Sequence, residues 1–136
     1  MLPALLMSVV AMAHGAAPRP HIVYMLSDNL GWANVGYHRA AMGRPSPEVQ
    51  TPHIDGLVAD GIELDRFYTY KFCSPSRSAF LTGRLPIHVN FHNSDQRMPG
   101  AGIPLGMTTI AEKLKGAGYA THQIGKWHVG SATQGC

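Results

Sequence analysis

The order of the predicted elements in this 136-residue chain indicates an α/β fold, with a partly built, mostly parallel β-sheet and flanking helices. Three segments rich in β-branched and aromatic residues are interpreted as strands, at 21–26, 62–70 and 119–124. Segments with helix-start and helix-stop residues lie between them. Strands that alternate with helices are typical of parallel sheets, because a helix can carry the chain back to begin the next strand.

The first half of the chain predicts a strand, a loop and a helix, in that order. The run "HIVYML" at 21–26 is continuously apolar, which favours a strand buried on both faces. The stretch 31–52 is rich in Gly and Pro and predicts a loop. Thr51 and Pro52 then open a short helix that stops at Gly61.

The second half contains a long irregular stretch and the clearest helix of the chain. Residues 83–106 show no regular pattern. Over 108–119 the apolar residues share one helical face. Thr108 or Thr109 can cap this helix at its start, and Gly118 ends it.

The N-terminus has the form of a cleavable secretory signal covering residues 1–17. Its apolar run, Leu2 to Ala13, is too short to span a bilayer, and small residues and prolines follow it. No Lys or Arg precedes the run, so a buried N-terminal helix is the alternative. A secretory route leads to an oxidising compartment. After removal of the signal we expect no membrane span.

Composition and charge indicate a globular protein with no nucleic-acid partner. Hydrophobic residues make up 45% of the chain and charged residues 14%, and the net charge is +3. The basic residues are scattered, which favours a solvated surface over a nucleic-acid-binding face. A modest positive field also suits a small anionic substrate.

Cys73 stands at the start of a helix predicted over Pro75 to Leu81 and closed by Gly83. The free N–H groups and the positive dipole end of a helix favour an anion at this position. Arg77 lies four residues after Cys73, so its side chain would project back toward Cys73. There it could bind an oxyanion such as sulfate or phosphate. Two alternatives stay open, a small buried hydrophobic residue or a disulfide with Cys136.

Polar residues follow each predicted strand and could converge on one site. Asp28 and Asn29 follow the first strand, Cys73 the second, and Lys126 and His128 the third. The other internal histidines are expected to be surface residues or hydrogen-bonded core residues, and not ligands: His38, His53, His88, His92 and His122.

The stretch "CSPSRSAFLTGR" resembles the signature of the sulfatase family, Cys-x-Pro-Ser-Arg followed by Leu-Thr-Gly-Arg. Three further stretches resemble family segments and occur in family order: "PHIVYMLSDNLGWANVGYH", "TPHIDGLVADGIELDRFYT" and "GAGYATHQIGKWHVG". Together they cover the chain from about Pro20 to Gly130, and the similarity is greatest to arylsulfatases of the B type. The resemblance implies an α/β domain of the alkaline phosphatase-like kind.

The resemblance also implies roles for six residues. A formylglycine-generating enzyme would oxidise Cys73 to the formylglycine nucleophile, with Arg77 supporting it. Lys126 and His128 would contact the sulfate or the nucleophile. One calcium ion would be bound by Asp28, by the modified Cys73 and by Asn29, which stands where most members have a second aspartate. An amide lacks the charge of a carboxylate, so we expect weaker calcium binding.

The implied function is hydrolysis of a sulfate ester, on a sulfated small molecule or a sulfated glycan. Two alternatives remain: a phosphate or phosphonate ester hydrolase of the same superfamily, and a non-catalytic secreted fragment. Sulfatases normally have several hundred residues, and the family's second metal pair and its later lysine and histidine have no counterpart here. Residues 18–136 are therefore expected to be the N-terminal part of a sulfatase domain, inactive alone, from a secreted, lysosomal or periplasmic protein.

Overall fold

Four α-helices and two 3₁₀ turns form the regular structure of the described residues. A computed structural model of the chain describes residues 19–45, 47–95, 98 and 100–130. The 3₁₀ turns are Trp32–Asn34 and Pro86–His88. The α-helices are α1 (Gly36–Ala41), α2 (Pro52–Asp60), α3 (Cys73–Thr82) and α4 (Ile110–Gly116).

Helix α2 confirms the sequence prediction at both ends. It begins at Pro52, directly after Thr51, and its C-terminal cap is Gly61. Proline suits the first helical position, because the N–H that it lacks would have no partner within the helix. These signals act within one turn, so the sequence alone locates the helix.

Helix α4 is capped as predicted, and Thr109 is the capping residue. Its hydroxyl accepts from the N–H of Glu112, and the Glu112 carboxylate accepts the Thr109 N–H at 2.6 Å, which completes a capping box. At the other end Gly118 has a φ of 85°, and its N–H donates to the carbonyl of Lys115 at 2.9 Å. The N–H of Tyr119 reaches back to Leu114, so the helix ends in a Schellman motif.

Helix α1 lies within the stretch 31–52, where the sequence analysis predicted a loop, so that prediction was wrong. The first turn of α1 is capped by side chains that lie further along the chain. The N–H of Gly36 donates to the Thr51 hydroxyl at 2.8 Å, and the N–H of Tyr37 donates to the Asp55 carboxylate at 3.2 Å. A short helix that is stabilised by such distant partners has few features in its own sequence that predict it.

His38 is a buried, hydrogen-bonded residue, as predicted. Its two ring nitrogens are joined to the carbonyl of Trp32 at 3.0 Å and to the Glu63 carboxylate at 2.9 Å. The imidazole also stacks on the Trp32 indole, with 3.4 Å between ring centroids. His38 therefore fixes the Trp32–Asn34 turn to the segment that follows α2.

Helix α3 begins at Cys73, two residues before the predicted start at Pro75. Cys73 is thus the first helical residue, and Pro75 occupies the first turn, where proline is still tolerated. Gly83 ends the helix in the left-handed conformation, as predicted, with a φ of 66°. The Tyr24 ring stacks on Phe80 at 3.6 Å, so the segment 21–26 lies against α3.

None of the three predicted strands forms within the described residues, which corrects the assignments at 21–26, 62–70 and 119–124. A strand exists only where its N–H and C=O groups pair with a neighbouring strand, and these segments do not pair with one another. Their apolar side chains stay exposed, with Ile62 at 91% and Ile124 at 99% exposure. The β-sheet of the predicted fold is therefore not formed by these residues.

Two predictions lie outside the described residues, the signal at 1–17 and the state of Cys136. Within the described residues, Cys73 is a free thiol. No helix of the described ranges is long and apolar enough to cross a membrane.

Candidate active site

The carboxylate of Asp28 brings three distant segments together. The ammonium group of Lys126 donates to its Oδ2 at 2.7 Å, and the Cys73 thiol donates to its Oδ1 at 3.5 Å. The Arg77 guanidinium also approaches Oδ1, at 3.9 Å. The structure thus unites the residues after the first predicted strand, at the start of α3 and after the last predicted strand.

Arg77 connects this cluster to the chain segment that carries Lys126. It follows Cys73 by one helical turn, which places both side chains on the same face of α3. Its Nη1 donates to the main-chain carbonyl of Lys126 at 2.6 Å, while Nη2 faces Asp28. The side chain is only 12% exposed, so its position is well defined by the surrounding groups.

The cluster has a positive excess, because two cationic side chains surround one carboxylate. The hydrogen bond from Lys126 lowers the pKa of Asp28, and the Cys73 hydrogen bond and the Arg77 charge act in the same direction. In return, the hydrogen bond to Asp28 raises the pKa of Lys126, with a smaller contribution from Cys73. Asp28 and Lys126 are therefore both charged at neutral pH, and the site favours an anion.

The loop 126–130, which carries two predicted site residues, is fixed through its main chain. The N–H of Ile103 donates to the carbonyl of Val129 at 3.0 Å, and Val129 is 3% exposed. Gly130 has a φ of 93°, and a Cβ atom there would lie 2.2 Å from the carbonyl oxygen of Ala101. Only glycine fits this close approach of two backbones.

His128 joins the site through its backbone. It adopts the left-handed conformation, with a φ of 56°, which is uncommon for a residue other than glycine. Its carbonyl oxygen accepts from the Ser74 hydroxyl at 2.5 Å. Its ring nitrogen Nδ1 is buried and has no hydrogen-bond partner within the described part of the chain. The described contacts therefore connect His128 to the start of α3 through its carbonyl, and none joins its imidazole to Asp28.

The oxygen donors present fit calcium in kind but cannot complete its shell. Asp28 and Asn29 offer a carboxylate and an amide, which are ligands that calcium takes. Calcium requires about six to eight oxygen ligands, and no group of three His, Cys, Asp or Glu residues suited to a metal exists within the described ranges. Asn29 lies in a left-handed turn at φ 58°, a conformation that asparagine tolerates. These residues can form at most part of a calcium site.

Ser74 is a site residue that the sequence analysis missed, because its place in the signature accepts any residue. It is fully buried, and its hydroxyl connects the His128 carbonyl to the N–H of Ser94, which donates at 2.9 Å. Its own N–H donates to Asn93 Oδ1 at 3.1 Å. Nothing local pairs Ser74 with residues twenty or fifty-four positions away, so only a three-dimensional structure reveals these contacts.

Known proteins that are similar to this chain are sulfatases. The family model described as "Sulfatase" matches residues 20–136. Arylsulfatase J of Mus musculus is 39% identical over 120 residues, which cover 87% of this chain and 19% of that protein. Human N-acetylgalactosamine-6-sulfatase is 39% identical over 131 residues, which cover 90% of this chain and 24% of that protein. Human arylsulfatase A is 37% identical over 136 residues, which cover 98% of this chain and 25% of that protein.

The chain belongs to the sulfatase family, since the family model matches most of its length. It spans about a fifth to a quarter of the length of these relatives. Membership implies an alkaline phosphatase-like α/β domain, whose sheet the described residues do not form.

Proposed function

We propose that these residues are the N-terminal part of a sulfatase domain and that the complete protein hydrolyses sulfate esters. The observation that carries this proposal is the convergence of Cys73, Arg77 and Lys126 on Asp28. A potential nucleophile and two cationic side chains lie there around one carboxylate, at the start of a helix. That arrangement suits a tetrahedral anion with several oxygens.

The nucleophile in this proposal is formylglycine, made from Cys73 by a formylglycine-generating enzyme. The conversion would be a two-electron oxidation of the Cβ atom: an external oxidant accepts the electrons, the C–S bond breaks with release of sulfide, and a C=O bond forms with an oxygen atom from the oxidant or from water. The thiol is free, and its neighbours match the sequence that such an enzyme recognises. Hydration of the aldehyde would give a geminal diol at this position.

Hydrolysis then proceeds in two steps. One diol oxygen attacks sulfur and forms a new S–O bond, while the S–O bond to the alcohol breaks and the alcohol leaves with a proton. The second hydroxyl next loses its proton and reforms the C=O bond, which breaks the C–O bond to the sulfate and releases it. Water restores the diol. A serine at the same place has no second hydroxyl and would remain sulfated.

The surrounding residues would bind the charge and handle the protons. Lys126 and Arg77 would supply positive charge to the sulfate oxygens, and charge already present in the site stabilises the transition state. Lys126 or His128 would hold or release the proton of the diol. Asp28 accepts a 2.7 Å hydrogen bond from Lys126, which raises the pKa of Lys126 and keeps it charged.

Calcium is the metal that we propose for this site, held in part by Asp28, Asn29 and the modified Cys73. When bound, it would supply positive charge to the sulfate oxygens. Its remaining ligands would come from other parts of the complete protein. The compartment proposed is the secretory pathway, ending in secretion, the lysosome or the periplasm, since the modifying enzyme acts on that route.

The decisive experiment follows Cys73 and turnover in the complete protein, produced from its own gene through a secretory route with the modifying enzyme present. Mass spectrometry of the peptide that contains Cys73 should show the loss of mass expected when CH₂SH becomes CHO. A chromogenic aryl sulfate should be hydrolysed, and Cys73→Ser should stop turnover after sulfation of the serine.

The same assay separates the alternatives. The sulfate and phosphate esters of one alcohol are compared, and faster turnover of the phosphate would favour a phosphate ester hydrolase. An unmodified thiol together with no turnover would leave a non-catalytic protein and defeat the proposal.

A further inference from the structure

Ser74 links three chain segments, namely the start of α3, residues 93–94 and residue 128. Its side chain is fully buried at the start of α3. The hydroxyl donates to the His128 carbonyl at 2.5 Å and accepts the N–H of Ser94 at 2.9 Å. The Ser74 N–H donates to Asn93 Oδ1 at 3.1 Å. Both capacities of the hydroxyl, as donor and as acceptor, are therefore used in a place without water access.

The 126–130 loop depends on such anchors for its position. Asp28 and Lys126 form an ion pair between side chains that are 35% and 42% exposed. A pair at this exposure is screened by solvent and holds a flexible lysine weakly. The part-buried hydrogen bond from Ser74 to the carbonyl of His128 lies two residues further along and restrains the main chain itself. It also supports the left-handed backbone of His128, a conformation that persists where the surroundings enforce it.

We infer that Ser74 is a positioning residue, whose hydroxyl anchors the 126–130 loop to the start of α3 and so sets Lys126 relative to Cys73. Its consequence for turnover rests on the proposed function. Ser74 itself is fully buried and does not touch the substrate. Its effect passes through the His128 carbonyl and the Ser94 amide, to which its hydroxyl is hydrogen-bonded.

The chain offers a matched control one helical turn away. Ser78 lies in the same helix and is equally buried, but its hydroxyl has no hydrogen-bond partner within the described residues. Ser74→Ala and Ser78→Ala therefore delete the same atom at the same burial. Only the first deletion removes partners from buried polar groups, and that is the costly case.

Hydrogen exchange of the complete protein tests the anchor directly. In the Ser74→Ala variant the amides of Ser94 and Ile103 should exchange roughly 2- to 10-fold faster, as expected for the loss of a typical hydrogen bond. The Met42 amide, which donates to the carbonyl of His38, serves as the internal reference for a general loss of stability. Ser78→Ala should leave all three amides unchanged relative to the wild type.

Two results would overturn the anchor. One is rapid exchange of the Ser94 amide in the wild-type protein. This measurement does not depend on whether any variant folds. The other is an equal acceleration of Ser94 and Met42 in Ser74→Ala, which would mean a general loss of stability.

Kinetics test the positioning role. Ser74→Ala should lower kcat on an aryl sulfate roughly 10- to 100-fold, as misplaced catalytic groups do. KM and the conversion of Cys73 to formylglycine should stay the same, because position 74 lies at the variable place of the signature. A wild-type kcat in Ser74→Ala would refute the role. A wild-type protein without sulfatase activity but with the expected exchange pattern would refute the proposed function and leave the anchor standing.

Discussion

A methyl group added at Gly36 should weaken the attachment of α1 to α2. The carboxylate of Asp55 accepts from the N–H of Tyr37 at 3.2 Å and from the Thr51 hydroxyl at 2.7 Å. The same Thr51 hydroxyl accepts the N–H of Gly36 at 2.8 Å. In the Gly36→Ala variant the new Cβ atom would lie 2.6 Å from Asp55 Oδ2 and 3.3 Å from its Cγ. The carboxylate must therefore move away from the start of α1.

The size of the effect follows from the bonds that this movement breaks. Movement of Asp55 would break its bond to the Tyr37 N–H, which caps α1, and its bond to the Thr51 hydroxyl, which supports the second cap. Loss of a helix cap typically costs about 0.5–2 kcal/mol. Alanine regains up to about 1 kcal/mol of helix propensity over glycine, and less at a helix end. We expect Gly36→Ala to lower the free energy of unfolding by about 1 kcal/mol.

Gly56 provides the control in the same pair of helices. It lies inside α2, and a Cβ atom there meets nothing within 4 Å. Gly56→Ala should therefore stabilise the protein by about 0.5–1 kcal/mol. Urea unfolding of the complete protein and both variants measures the two shifts, which should have opposite signs. If Gly36→Ala unfolds at the same or a higher urea concentration than the wild type, the caps from α2 do not hold α1.

Three further outcomes are expected. Thr109→Ala should lower the free energy of unfolding by about 1 kcal/mol through loss of the α4 cap, whereas Thr108→Ala should change it little, and equal effects in urea unfolding would contradict this. The bonds from Thr109 lower the pKa of Glu112, so the carboxylate's contribution is complete above the ordinary glutamate pKa and disappears as the pH falls through the lowered value. The stability gap between wild type and Glu112→Ala should therefore narrow in acid, and a constant gap would contradict this prediction. Asn29→Asp should tighten calcium binding in titration calorimetry, because a carboxylate attracts a divalent ion more than an amide does. Asn34→Asp, which adds the same charge further along, should leave the affinity unchanged, and equal gains would exclude Asn29 as a ligand.

Helices that carry their own signals could be predicted from the sequence. Thr51 and Pro52 precede α2, and Thr109 and Gly118 bracket α4, so each signal lies within one turn of the end that it sets. These caps act on groups that any short peptide would also expose. Their recognition needs no knowledge of the rest of the fold.

Features that depend on distant partners could not be predicted. The caps of α1 come from residues 15 and 18 positions away. Ser74 reaches partners on two other segments, and the sequence gives no reason to choose them. The strand pattern at 21–26 and 62–70 is present in the sequence, yet a strand also requires a neighbour, and the described residues do not provide one.

The site residues were easier to predict than the fold that holds them. Asp28, Cys73 and Lys126 were placed together because each follows a predicted strand, and they do meet although no strand forms in the described part of the chain. Their convergence therefore does not depend on the sheet that suggested it. The Asp28–Lys126 pair is too exposed to account for it, since solvent screens such pairs. The remaining contacts are two hydrogen bonds to main-chain carbonyls. Arg77 donates to the carbonyl of Lys126, and Ser74 donates to the carbonyl of His128. Both anchors begin on the same helix as Cys73, so the helix that carries the potential nucleophile also positions the cation beside it.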